Sequence, residues 1–263
     1  MPRCGTVGQV NTTTRPVVAL DVDGVLNPNL TTEAQLWLEE HGVPAPGAVQ
    51  QRDTAAGRAW SRRCPQIPAL PGYEVYQVWV PAAELPDSPF LRGRGEQDLS
   101  TLVQLSTRDA DRLAALTQRA DLVWATTWEG AANTVLAPLL ALGDLELGVS
   151  VEVTYPRFGY VRNGDVAAWK AEALAERYTG RPLVWLDDLA WAYHPQVPSP
   201  WADQPVPGPD AEEWERRDYE EMVAYYEEER WRAEPTLVVK VDPARGVTEA
   251  LWDAVTEFVT THS

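Results

Sequence analysis

Short, nearly unbroken apolar runs punctuate this chain at Val17-Val18-Ala19-Leu20, Leu122-Val123-Trp124-Ala125, Leu183-Val184-Trp185-Leu186 and Leu237-Val238-Val239-Lys240-Val241. Runs of that length without polar alternation read as strands buried on both faces. Between them lie segments of helical composition or spacing. These are 32–40, with Gly42 placed to end it; 107–119, with Leu113 and Leu116 on one face; 129–142; and 165–178, with Gly180 just beyond. A last helix is expected from Thr248, carrying Leu251, Val255, Phe258 and Val259 on one side. Strands alternating with helices predict an α/β fold, three-layer α/β/α with a mainly parallel sheet.

Two stretches interrupt that rhythm. Residues from about 43 to 90 are rich in Pro, Gly and Arg, with one strand expected at Tyr73–Val80, and about 43–106 reads as inserted material. Residues 193–209 are proline-rich and read as loop, and 210–234 carry eleven acidic against four basic residues, a net of −7. Within the latter, Tyr219, Met222, Val223 and Tyr226 follow an i, i+3, i+4, i+7 pattern, which predicts an amphipathic acidic helix. Tethered at both ends near the carboxyl edge of the sheet, it would form a lid or wall that limits access by long polyanions. Residues 1–15 are read as a disordered N-terminal segment, and 16–263 as one domain with insertions at about 43–106 and 193–234.

Composition narrows the function classes. A 263-residue chain that is 44% hydrophobic, with 12 tryptophans, is a packed globule. Its formal charge of −17 disfavours bulk attraction to phosphate backbones or anionic membranes. No apolar run approaches a membrane span, and the first residues lack the apolar core of a signal peptide, so no membrane partner and a cytoplasmic location are expected. Cys4 and Cys64 have no metal-ligand spacing.

The candidate chemistry sits where the apolar runs end. The first leads into Asp21-Val22-Asp23-Gly24, two carboxylates on the same side of an extended strand followed by a residue that permits a sharp exit. Two such groups cannot both stay charged and dry, so they imply a cation, a shared proton or open solvent. The second run ends in Thr126-Thr127 and the third in Asp187-Asp188. In doubly wound sheets ligands bind beyond the carboxyl ends of the strands, where these sequence-distant groups meet. Up to four carboxylates call for a hard cation, and an all-oxygen set suits Mg²⁺. A hydroxyl and Lys170, from the helix before the third run, supply donors for a phosphate oxygen. Thr126 could instead end its strand bonded to backbone, with Thr127 the competing hydroxyl, and Lys170 could be a solvated helix lysine. Trp128, Glu129 and Asn133 either line the pocket or serve packing and capping.

These motifs resemble those of the haloacid dehalogenase (HAD) superfamily of aspartate-nucleophile phosphatases. The likeness runs through Val17–Val25, Leu122–Thr126, Lys170 and Leu183–Asp188, in that order. It is closest to the HAD domain of Swiss-Army-Knife RNA-repair proteins, through Leu-Asp-Val-Asp-Gly-Val-Leu-Asn-Pro, Val-Trp-Ala-Thr-Thr-Trp-Glu, Trp-Leu-Asp-Asp and Val-Asp-Pro-Ala-Arg-Gly-Val-Thr. The resemblance implies that Asp21 is the nucleophile and Asp23 the general acid and base. Mg²⁺ would be held by the Asp21 carboxylate, the Asp23 backbone carbonyl and Asp187 or Asp188. Thr126 and Lys170 would bind the transferred phosphoryl group. Substrate choice would fall to inserted segments, where Arg52, Arg58, Arg62, Arg63, Arg92 and Arg94 could form a basic rim.

Three functions follow as expectations. The first is a Mg²⁺-dependent phosphatase forming an aspartyl-phosphate on a nucleic-acid end or nucleotide phosphate. The second is a phosphatase for another small phosphorylated metabolite, and the third a non-catalytic binding protein of the same fold. Clustered carboxylates argue against the third, which has no need of them.

Overall fold

The computed structural model describes residues 15–43, 60–80, 99–150, 163–190, 213, 216, 232 and 234–263. In chain order, β1 (Val17–Leu20) is followed by α1 (Thr32–His41), β2 (Trp60–Arg63), β3 (Tyr73–Val80), β4 (Leu99–Ser106), α2 (Thr107–Leu116) and β5 (Asp121–Trp124). A π-helical turn, Ala132–Leu136, then runs into the short α3 (Ala137–Leu139). It is followed by β6 (Glu146–Leu147), α4 (Asn163–Arg177), β7 (Leu183–Asp187), β8 (Thr236–Lys240) and α5 (Glu249–His262).

The five strands of the main sheet are ordered β6-β5-β1-β7-β8, and every pairing is parallel. The chain leaves β1 toward β5 and β6 on one side, then returns to β7 and β8 on the other. The reversal makes the carboxyl end of β1 a topological switch point, the place where such sheets open a crevice. Register keeps that crevice compact: Leu20 pairs with both Trp124 and Leu186, so three strands finish level.

Alternation along the strands feeds two cores. Val18, Leu20, Leu122, Trp124, Val184, Leu186 and Val239 face one side, packed with Leu113 and Leu116 of α2, Leu136, and Trp252, Val255 and Val259 of α5. Val17, Ala19, Val123, Leu183, Trp185 and Val238 face the other, packed with Ala167, Ala171 and Leu174 of α4. Helices therefore cover both faces, and the all-apolar strand patterns follow from that. Among the described residues no helix is long and apolar enough to cross a membrane.

The described part of 43–106 is a second sheet, antiparallel, in the order β2-β3-β4. Val78, Val80, Val103 and Leu105 extend the main core, and Val75 packs on the other face with Cys64, Ile67 and Ala34 of α1. Of its strands, only β3 was anticipated. Helix α1 starts on Thr31, whose hydroxyl accepts from Ala34 N at 3.1 Å. It ends on Gly42, at φ +74, whose N–H donates to Leu38 O.

One expectation is corrected here. A parallel β7–β8 pair requires the chain between them to cross from the carboxyl edge to the amino edge of the sheet. Residues 210–234 are therefore not tethered at the carboxyl edge on both sides. Their far end is anchored at the amino edge, where Arg232 donates to Tyr178 O and Arg181 O and Glu234 accepts from Gly180 N. Apart from Glu213 and Arg216, the body of the expected acidic helix lies outside the described residues, as do the loop 193–209 and residues 1–14.

Candidate functional site

Asp21 is the first residue beyond β1. Its N–H still donates to Leu186 O of the neighbouring strand, so the backbone delivers its carboxylate at the crevice. The turn that follows is closed by Gly24 N–H to Asn27 O at 2.9 Å and Asn27 N–H to Val22 O at 2.8 Å. Gly24 sits at φ +75, and its open side is filled by the Asp188 side chain. Both properties require glycine, one for the backbone and one for the contact.

Lys170 reaches the same point from α4. It falls on the apolar stripe of that helix, with Ala167, Ala171 and Leu174, and is only 1% exposed. A lysine on the buried stripe needs partners there. Its Nζ donates to Asp21 Oδ2 and Asp187 Oδ2, each at 2.7 Å. Burial opposes the ammonium charge, but the two carboxylates outweigh it and hold the lysine above its usual range. Asp21 Oδ1 also accepts from Val22 N, and Asp187 Oδ1 from Leu189 N.

Three carboxylates face this single ammonium. Oxygens of Asp21, Asp187 and Asp188 lie within 4.8 Å of one another. Burial pushes Asp187 upward, only partly countered by Lys170. Asp188, half-buried, is pushed up to about 6 by burial and then by the Asp21 charge. Both carboxyls are raised chiefly because burial strips water from the charged form, with the neighbouring Asp21 charge adding to it. Three carboxylate oxygens gathered this closely are an all-oxygen donor set of the kind that could hold a hard cation such as Mg²⁺. Asp187 is wholly buried and tied to Lys170 and Leu189, whereas Asp188 reaches solvent.

Asp23 stands apart from that trio. Its Oδ2 accepts from Trp128 Nε1 and its Oδ1 from Asn27 Nδ2, both at 2.9 Å. Its pKa is raised, chiefly by desolvation, against the lowering effect of those two hydrogen bonds. Trp128 comes from the turn after β5. In that turn the Thr126 hydroxyl is buried and accepts from Trp128 N at 3.3 Å, while Thr127 is more exposed. Glu129, also buried, takes the left-handed conformation at φ +45. Such backbone is costly for a non-glycine residue and tends to collect at functional turns.

Asn133, weighed as a pocket residue, serves packing instead. It accepts from Trp124 Nε1 and Leu145 N and donates to Leu145 O. Of the arginines expected in a basic rim, Arg62 donates to Gln77 Oε1 and Arg63 pairs with Glu74 at 2.6 Å. Arg52, Arg58, Arg92 and Arg94 lie outside the described residues.

Two residues escaped the reading of the sequence. Asn27 orients Asp23, and Gln104, wholly buried on β4, orients Asn27 by donating its backbone N–H to Asn27 Oδ1 at 2.9 Å. The turn signal Asn27-Pro28 was visible, but its partner lies 77 positions away and no local pattern announces it. Comparison of this chain with protein-family models, with curated proteins and with solved structures finds no match.

Proposed function

We propose that the chain is a Mg²⁺-dependent phosphatase of the HAD superfamily that works through an aspartyl-phosphate. Support comes above all from one observation, the convergence of Asp21, Lys170, Asp187 and Asp188 at the switch point of the parallel sheet. Asp21 attacks phosphorus, forming the Asp21 O–P bond as the ester P–O bond breaks. Asp23 gives its proton to the leaving oxygen. Asp23 then takes a proton from a water that attacks the same phosphorus, releasing inorganic phosphate and restoring the Asp21 carboxylate. Lys170 orients the nucleophile and offsets its charge, and Thr126 donates to a phosphoryl oxygen. Mg²⁺, held by Asp21, the Asp23 carbonyl and Asp187 or Asp188, would neutralise charge on the phosphate.

A nucleic-acid end or nucleotide phosphate is the proposed substrate class, on the resemblance to RNA-repair domains. A small phosphorylated metabolite is the second reading. The charge of −17 favours it, as does the engagement of Arg62 and Arg63 within their own sheet. The test is phosphate release by the full chain from 3′- and 5′-phosphorylated oligonucleotides, nucleotides and sugar phosphates, with Mg²⁺ and with a chelator. Release that needs Mg²⁺ and disappears in Asp21→Asn supports the reading. Absence of release from every substrate overturns it.

A further inference from the structure

We infer that Trp128 and Asn27 are positioning residues that aim Asp23 as the acid–base group, an inference that rests on the phosphatase reading above. Asp23 keeps part of its surface open to solvent even though the surrounding protein desolvates its carboxylate, and an aspartate with an open side ordinarily samples several rotamers. Here both carboxylate oxygens are held, each by a donor at 2.9 Å, and the two donors come from different parts of the fold. Trp128 is anchored in the main core, 105 positions along the chain. Asn27 cannot turn its amide over, because its Oδ1 accepts from Gln104 N. The face it offers Asp23 must be the donor.

The chemistry of the clamp suits the task. Indole N–H and carboxamide N–H are neutral, so they fix direction without locking the carboxylate in its ionised form as an ammonium or guanidinium would. Lys170, the one cation bonded within the carboxylate group among the described residues, is committed to Asp21 and Asp187. Each carboxylate oxygen has two acceptor sites, so one on each remains for the proton that must leave in the first half-reaction and return in the second. An indole N–H can only donate, which keeps the transferred proton off the side facing Trp128.

The test uses the full chain and a series of aryl phosphates running from good to poor leaving groups. Trp128→Phe keeps the ring and deletes the donor; Asn27→Ser is the second variant, should the first fail to fold. A displaced acid matters most when the leaving oxygen needs its proton. The expected result is a drop in kcat/KM of about tenfold or more for the poorest leaving group, within the range that acid–base catalysis supplies. For the best leaving group the change should be small, so dependence on leaving-group pKa steepens. In an Asp23→Asn background the same substitutions should add little, as for residues acting through one group. Equal loss across the series, no loss, or full additivity with Asp23→Asn overturns the inference and leaves the phosphatase reading standing. A wild-type chain inactive on the whole series overturns the phosphatase reading itself, and this inference with it.

Discussion

A Cβ at position 24 would stand 2.6 Å from the Asp188 carboxyl carbon, so the absence of a side chain on Gly24 is what lets Asp188 lean into the carboxylate group. Gly24→Ala is expected to displace Asp188 and to force an L-residue to φ +75. The backbone part alone costs about 1–2 kcal/mol. Urea unfolding should show that loss. Mg²⁺ titration followed by activity should show a larger defect in apparent metal affinity than in substrate KM.

Lys170 is wholly enclosed between two carboxylates. Lys170→Met should abolish phosphate release and destabilise the chain by about 3–5 kcal/mol, the usual result of leaving buried charge without its partner. Added Mg²⁺ should recover part of that stability in denaturant melts, since the cation can stand in for the missing positive charge.

Metal linkage separates Asp187 from Asp188. Saturating Mg²⁺ at about 100 times Kd should stabilise the wild-type chain by about 2.7 kcal/mol. Asp188→Asn should retain the metal-free stability and lose most of that increment. Asp187→Asn should lower metal-free stability as well, because Lys170 and Leu189 N both depend on that carboxylate. Thermal melts with and without Mg²⁺ distinguish the two.

Asp109 offers a pH test away from the site. It is buried in the first turn of α2, and its Oδ1 accepts from Trp252 Nε1 at 2.8 Å. Burial pushes its pKa from 3.8 up to about 6. The folded state thus binds the proton more tightly than the unfolded chain. Its contribution is complete below about pH 4 and is lost as pH rises through about 6, by up to about 3 kcal/mol. Asp109→Asn should gain on the wild type in urea melts across that window. A constant difference between the two from pH 4 to 7 would remove Asp109 as the source.

The parts of this molecule that could be read from the sequence are those whose physics is local. β1, β5 and β7 announce themselves because strands buried on both faces are apolar throughout, and each ends in the polar residues that mark the crevice. β4 is hidden because Gln104 and Ser106 occupy buried positions and break the apolar pattern. The helix expected at 129–142 is shorter, helical only to Leu139 and interrupted by the π turn at Ala132–Leu136. Lys170 was picked out by its place in the helix before the third run and by the motif resemblance, while its burial beside Ala167, Ala171 and Leu174 is a product of the packed helix. The bonds from Trp128 and Asn27 to Asp23 and from Gln104 to Asn27 were not, since what makes them is the meeting of segments far apart in the chain.

Gln104 has a mechanical consequence. Its backbone N–H, side-chain amide N–H groups and amide oxygen bond respectively to Asn27, to the carbonyls of Pro28 and Asn29, and to Leu70 N. Swinging the antiparallel sheet away from the β1 turn would strip several of these groups bare in a dry setting, where each unmade bond costs about 1–3 kcal/mol. The sheet is therefore mortised to the turn that carries Asp23, and the two travel as one rigid piece. Removing the antiparallel sheet to enlarge the mouth would dismantle the support of the acid it was meant to expose.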